Sequence, residues 1–429
     1  MTELEKLGRR IGPSIRGLKP ATGKRGVLMA FSLIASVAVC GSVLSPVFVW
    51  AASASEERSL PRTNSDARIP PFSAAVKTHF ARVRLRPEAD SPEIGILREG
   101  ATVTVTACKP DCASPHGWAL LGADGAIKLA LLNPQPAEAL AAPTAEKSWY
   151  GRVGKSPIRI FKQPRLDGPI LARNQRNREM AFLPNVELRA RGWLERVEGG
   201  FVPARRVQML TPSRFQGEAQ PQLPLAFVVR DMRATRKSGL RRYDRIPVRE
   251  IDKDGVATDN GLLPRKALRI VTRHSPPSSI AAGAKWVLVD IEQQTLTAYQ
   301  GETPVFATLI SSGKDHDESE THPGLYQVEH KMDYSDMHGE MHGESDEPYE
   351  VDRVPHVLYF HKNEALHGTY WHDRFGFPAS HGCVNLSPAD ARWLFDWAPP
   401  RLPENWSTID PKAAGLNSLW VFIKEKAVL

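Results

Sequence analysis

Cysteine is scarce, with four in 429 residues, which excludes a scaffold held together by disulfides. Long apolar runs are scarcer still. Only Val27 to Val49 is long and uncharged, which excludes a polytopic membrane protein. Cys108 and Cys112 have no matching ligands nearby and make a poor zinc site. Disorder is excluded too, because apolar residues make up 41% and charged ones only 24%. At roughly 150 residues per domain the length suggests about three domains.

Charge is present but unevenly spread. From Gly283 to the end there are 11 Lys/Arg against 23 Asp/Glu, a net of −12, so the first 282 residues carry +20. The two regions are expected to do different jobs. Residues 1–25 hold Lys6, Arg9, Arg10, Arg16, Lys19, Lys24 and Arg25, and no charge follows until Glu56. This reads as a basic tail or signal n-region, followed at 26–54 by a signal peptide or a single membrane anchor. The apolar length favours an anchor, while Ala52-Ser53-Ala54 has the small-x-small form of a cleavage site. Both readings place the tail inside and everything after Glu56 outside. The expected location is therefore a cell envelope, on the periplasmic side of an inner membrane, anchored or secreted.

Residues 55–73 read as a polar linker. Residues 74–133 alternate with period two around Val83, Leu85, Ile94, Ile96, Val103 and Val105, a pattern of short strands and turns. Cys108 and Cys112 lie in C-K-P-D-C, where outside the cytoplasm a local disulfide competes with two free thiols. A Pro/Ala-rich linker follows, and 147–210 repeat the same grammar. Gly117-Trp118 and Gly192-Trp193 each open a strand, glycine turn and strand, at a period of roughly 75 residues. Both units resemble the bacterial Src-homology-3-like modules attached to cell-wall enzymes, with Trp118 and Trp193 as core residues. Residues 225–273 hold strand-like pieces and a basic run, Arg230 to Arg249. They are either a third β unit or an extension of the last domain. Anionic envelope polymers suit such basic units better than nucleic acid, which is not expected as a partner of an exported protein.

From residue 283 a β meander is expected, with strands at Lys285–Ile291, Thr295–Gln300 and Pro304–Ser311. Further strands are expected at Leu325–Val328, His356–Phe360, Ala365–His367 and Ser418–Lys424. Ser387-Pro388-Ala389-Asp390 reads as a capping box opening a short helix. Between them stand His367-Gly368 and then Ser380-His381-Gly382-Cys383-Val384-Asn385. These residues suit acyl transfer. A thiolate attacks, an imidazole carries its proton to the leaving amine, and glycine lets a carbonyl approach backbone N–H donors. The stretch Lys331 to Asp352 is acidic and repeats Met-His-Gly-Glu within 337–344. Its spacing defends no metal site, and a glycine in each repeat suggests a mobile loop.

The H-x…S-H-G-C-x-N pattern resembles the L,D-transpeptidase catalytic domain, the YkuD-like family, over about residues 283–426. One departure is Thr321-His322-Pro323-Gly324, where that family usually places Thr-Pro first. The resemblance implies a mostly β chain: small β-barrel modules, then a β-rich catalytic domain with a short helix after the nucleophile. It implies Cys383 as nucleophile and His367 as general base and acid, oriented by the carbonyl of Gly368. Ser380, His381, Gly382 and Asn385 would shape the nucleophile loop. Peptidoglycan stem peptides would be acyl donor and acceptor, giving 3→3 cross-links with no cofactor. Water, a free D-amino acid or a protein amine are alternative acceptors. A wall-binding scaffold with an inert last domain is the competing reading. NlpC-like wall peptidases also join such modules to a Cys/His site, but there the cysteine precedes the histidine.

Overall fold

The computed structural model describes residues 69–122, 125–134, 148–232, 239–253, 255–314, 319–339 and 349–425. The basic tail, the apolar stretch at 26–54 and the 340–344 part of the Met-His-Gly-Glu repeat lie outside these. The chain is mostly β, as the sequence implies, with two α-helices among the described residues, Val186–Ala190 and Pro388–Trp397. The five-residue first helix was not foreseen; the Asn185 side chain caps it by accepting from the Leu188 amide.

Three small β units precede the C-terminal domain, and they share one plan. In the first, the strand Trp118–Leu120 forms a hairpin with Ala126–Lys128. A 3-10 turn follows at Leu129–Leu131, and Leu132–Pro134 then returns to pair with the opening strand Phe72–Val76. In the second, Trp193–Glu195 pairs with Phe201–Pro203, a 3-10 turn spans Ala204–Arg206, and Gln208–Leu210 returns to Trp149–Val153. Residues 225–273 repeat it. Val256–Thr258 pairs with Gly261–Leu263, a 3-10 turn spans Arg265–Ala267, and Leu268–Val271 returns to Leu225–Val228. This region is thus a third β unit with its own core around Ala226, Val228, Ile246, Val256 and Leu268. The sequence carried a signal for it, since Val202-Pro203-Ala204-Arg205-Arg206 is echoed by Leu263-Pro264-Arg265-Lys266-Ala267. Trp118 is buried, as expected of a core residue, whereas Trp193 is half-buried with its ring edge-on to Phe161.

Strands of the C-terminal domain are β1 Lys285–Asp290, β2 Thr295–Gln300, β3 Thr303–Leu309, β4 Gly324–Gln327, β5 His330–Gly339, β6 Tyr349–His361, β7 Glu364–Gly368, β8 Val384–Leu386, β9 Thr408–Ile409 and β10 Trp420–Lys424. The helix α1 is Pro388–Trp397. One sheet runs β3-β2-β1-β10-β4, with Glu218–Ala219 beyond β3. Most of its pairings are antiparallel, while β1 and β10 run parallel. Its one face, with Val287, Val289, Leu296 and Ala298, packs on β6–β8 and on α1 through Leu366, Val384, Leu386 and Leu394. The cap forms as read, because the Ser387 hydroxyl accepts from the Asp390 amide and Pro388 opens the helix.

Lys331 to Asp352 departs from expectation. Its described residues are not a loop but the long antiparallel pair β5–β6. The pair is built into a larger sheet on both sides. Arg178–Phe182 of the second unit runs parallel to β6, and β9 joins β5 to Glu93–Arg98 of the first unit. Charge explains why an acidic ribbon folds here. Asp352, with 1% of its side chain exposed, receives Arg178 at 2.6 Å and Arg196 at 3.0 Å. Arg98 and Arg353 lie over the Tyr334 ring, each 3.6 Å from its centroid. The +20 and −12 halves therefore neutralise one another in part within the molecule.

Candidate active site

Parallel pairing of β7 with β8 assembles the site. The register sets Leu366 opposite Val384, His367 opposite Asn385 and Gly368 opposite Leu386. Continued by one residue it sets Cys383 beside Ala365. Side chains two apart on a strand share a face, so Cys383, His367 and Asn385 emerge on one side, with the thiol diagonal to the imidazole. This is how residues sixteen apart in sequence come together.

His367 is buried. Its Nδ1 lies 3.1 Å from the Gly368 carbonyl, so Nδ1 carries the hydrogen and Nε2 keeps the free lone pair. The Trp371 ring stacks on it at 5.8 Å. Burial lowers the imidazole from its usual value to about 4, which keeps it neutral at pH 7. Cys383 is only half-buried by exposed area, yet its sulfur is closely surrounded. Desolvation, with the nearby Glu364 carboxylate adding to it, pushes the thiol up to about 12. The resting pair is therefore a thiol and a neutral imidazole rather than a preformed ion pair. The thiol donates to the Asn363 carbonyl at 3.5 Å and must turn to reach Nε2. Alkylation of Cys383 by iodoacetamide is expected to accelerate about tenfold per pH unit from 7 to 10, because only the thiolate reacts. A rate plateau reached below pH 8 would contradict this state of the site.

The nucleophile loop is held from several sides. The Ser380 hydroxyl donates to the Cys383 carbonyl. Ala379 and Ser380 amides both donate to the Ser312 carbonyl at 3.0 Å, and Ser311 and Asn385 exchange backbone bonds at 2.9 Å. Gly382 takes φ +111, which only glycine adopts readily. His381 points outward, 3.5 Å from the Lys314 ammonium. Of the residues singled out from the sequence, Cys383, His367, Gly368, Ser380, Gly382 and Asn385 converge, while His381 lies at the rim. Cys108 and Cys112 are joined by a disulfide in the first β unit.

Three residues matter that sequence reasoning undervalued or missed. The buried Thr321 donates to the Gly382 carbonyl at 2.8 Å and accepts from the Gly313 amide at 2.9 Å. His322, the departure from the family pattern, places both its ring and its amide on the Glu364 carboxylate beneath Gly382. His372 Nδ1 accepts from the Arg374 amide, and the Asn385 side-chain nitrogen lies 2.9 Å from its Nε2. The unusual Thr-His-Pro-Gly turn was the one available signal for the first two. Thr321→Val keeps the shape but strands two buried backbone groups. It is expected to cost about 1–3 kcal/mol in urea unfolding and to lower kcat more than it raises KM. Unchanged stability and turnover would show that Thr321 does not hold the loop.

Among the described residues no cluster of three or more His, Cys, Asp or Glu side chains could hold a metal. What remains is a thiol, a correctly oriented imidazole and a glycine-opened backbone, the components of thiol-dependent acyl transfer. Residues 284–405 match the family model of the L,D-transpeptidase catalytic domain, YkuD. The chain thus carries an L,D-transpeptidase catalytic domain. A comparison with curated proteins finds no match. Solved structures similar to it include an L,D-transpeptidase of Enterococcus faecium, 20% identical over 33% of this chain and 50% of that one, with TM-score 0.26. Another is an L,D-transpeptidase of Xylanimonas cellulosilytica, 25% identical over 35% and 64%, with TM-score 0.22. A third is L,D-transpeptidase 3 of Mycobacterium tuberculosis, 18% identical over 33% and 61%, with TM-score 0.26. The chain spans less than two thirds of the length of each.

Proposed function

We propose that this chain is a peptidoglycan L,D-transpeptidase that forms 3→3 cross-links through a Cys383 thioester. The observation that carries the reading is the β7–β8 register, which puts Cys383 and His367 on one face with Nε2 of His367 free to accept a proton. Cys383 turns from Asn363, and His367 takes its proton as sulfur attacks the carbonyl of the third stem residue. The oxyanion is met by backbone N–H groups beside Gly382. His367 then protonates the departing D-alanine amine, leaving an acyl-thioester. An amine of a second stem gives its proton to His367, attacks the thioester, and releases the thiol and a cross-linked dimer. The chain is read as acting on the periplasmic side of a bacterial envelope.

Incubating the full-length protein with tetrapeptide muropeptides and reading products by mass spectrometry tests this. Cross-linked dimers together with free D-alanine are expected. D-alanine release without dimers would replace transpeptidation by a carboxypeptidase activity. No release at all, with wall binding retained, would favour the scaffold.

A further inference from the structure

The spacer that joins His367 to Cys383 is fastened to the third β unit, and the reaction described above makes no use of that contact. Residues 369–379 form no strand or helix of their own. A segment of that kind is ordinarily mobile. Here it is held at three points. Phe375 is fully buried in a core with Phe227, Val229 and Val271 of the third unit and with Phe215 just before it. Gly376 takes φ +93 and lies so close to the third unit that a Cβ there would stand 2.4 Å from a Val229 methyl carbon. Its carbonyl accepts from Arg269 Nε at 2.8 Å. One carboxylate oxygen of Asp373 accepts from the Tyr243 hydroxyl at 2.8 Å and from the Ser213 hydroxyl, and the Asp373 carbonyl accepts from Arg242. Tyr243 itself takes φ +75, a strained conformation that persists only where the surroundings impose it.

The same segment carries two side chains to the catalytic residues. The Trp371 ring stacks on His367 at 5.8 Å. The Nε2 of His372 lies 2.9 Å from the side-chain nitrogen of Asn385, which shares a face with Cys383 and His367. The Phe375 ring stands 6.0 Å from Phe215 and 5.4 Å from His372, so it touches the anchoring core and the site at once. We propose that the third β unit positions the catalytic pair: by gripping Asp373, Phe375 and Gly376 it sets Trp371 over His367 and His372 against Asn385. Asp373 and Phe375 are thus positioning residues that touch no reacting atom. The effect on turnover rests on the transpeptidase reading, while the effect on His367 rests on the contacts alone. Misplacing a reacting group by about 1 Å can cost about 10²-fold in rate, so a modest loosening of the spacer is large enough to measure.

Two variants of the full-length protein loosen the grip from different sides. Asp373→Ala removes the acceptor of both hydroxyls, and Asp373→Asn restores an oxygen in its place. Gly376→Ala forces a side chain against Val229. The first measurement is turnover of tetrapeptide muropeptides, read as kcat and KM on protein shown to be folded by circular dichroism. Asp373→Ala and Gly376→Ala are each expected to lower kcat about tenfold with KM within about twofold of the parent. Asp373→Asn is expected to recover kcat to within about threefold. The second measurement is carbethoxylation of His367 by diethylpyrocarbonate, mapped by mass spectrometry, which reads the cover of the imidazole by Trp371 without any substrate. It should run at least about fivefold faster in the two loosened variants and near the parent rate in Asp373→Asn. Should Gly376→Ala fail to fold, the two Asp373 variants decide alone. Unchanged kcat, or unchanged modification of His367, in the folded loosened variants would overturn the proposal, as would a raised KM with kcat intact. Faster modification in those variants, with no turnover by the parent, would keep the positioning role and remove the transpeptidase reading instead.

Discussion

Cys383→Ala in the full-length protein is expected to lower transpeptidation by at least about 10⁴-fold, the scale on which removing a nucleophile acts. Its unfolding free energy should stay within about 1 kcal/mol of the parent, since a single sulfur atom is removed from a half-buried residue. No other described cysteine can substitute, because Cys108 and Cys112 are bonded to each other. Cys383→Ser is expected to fare little better. A hydroxyl is harder to deprotonate than a thiol, and His367, lowered to about 4 by burial, is a weak base. Intact-mass spectra should show a thioester adduct on the parent and none on the alanine variant. Retention of more than about 1% of parent turnover would remove Cys383 from the chemistry.

Asp352→Ala carries the largest expected cost in stability, about 3–5 kcal/mol by urea unfolding. The carboxylate is the shared acceptor of two guanidinium groups from the second β unit, with Arg178 on one oxygen and Arg196 on the other. Removing it leaves Arg196, itself nearly buried, without its carboxylate partner. Arg178 keeps Gln175 and Glu350, so Arg196 dominates the cost. Replacing Asp352 and Arg196 together by apolar residues should cost less than the sum of the single losses, as expected for groups in contact. A single-variant loss under 1 kcal/mol would mean that water or a rearranged Glu198 takes over.

Much of this arrangement was legible in the sequence. The β1–β3 meander shows as apolar runs split by Glu292-Gln293-Gln294 and Gly301-Glu302, and α1 shows at Ser387. The pair His367 and Cys383 was found by spacing, and the strand register supplies the face they share. The ribbon was illegible because its polar residues are satisfied from far away. Lys331 is buried with its ammonium on the carbonyls of Phe395, Ala398 and Pro400, groups that α1 and the turn after it leave unpaired. Asp352 depends on arginines more than 150 positions earlier. Local pattern cannot report such partners, so an acidic, glycine-containing stretch read as a loop. Glu364 went unnoticed for the same reason, since only the fold brings His322 to it.

The backbone bonds joining β6 to the second β unit and β9 to the first have a consequence for synthesis. The ribosome releases those units first, so their open strand edges exist before the ribbon does. Each edge offers a ready template, the second unit's for β6 and the first unit's for β9, as these strands emerge. A chain trimmed to begin near residue 283 would lack the templates and bare the edges of β6 and β9 that they cover. Unpaired edges of that kind recruit other chains. Such a fragment should self-associate, and the β units then serve the C-terminal domain as chaperones in cis.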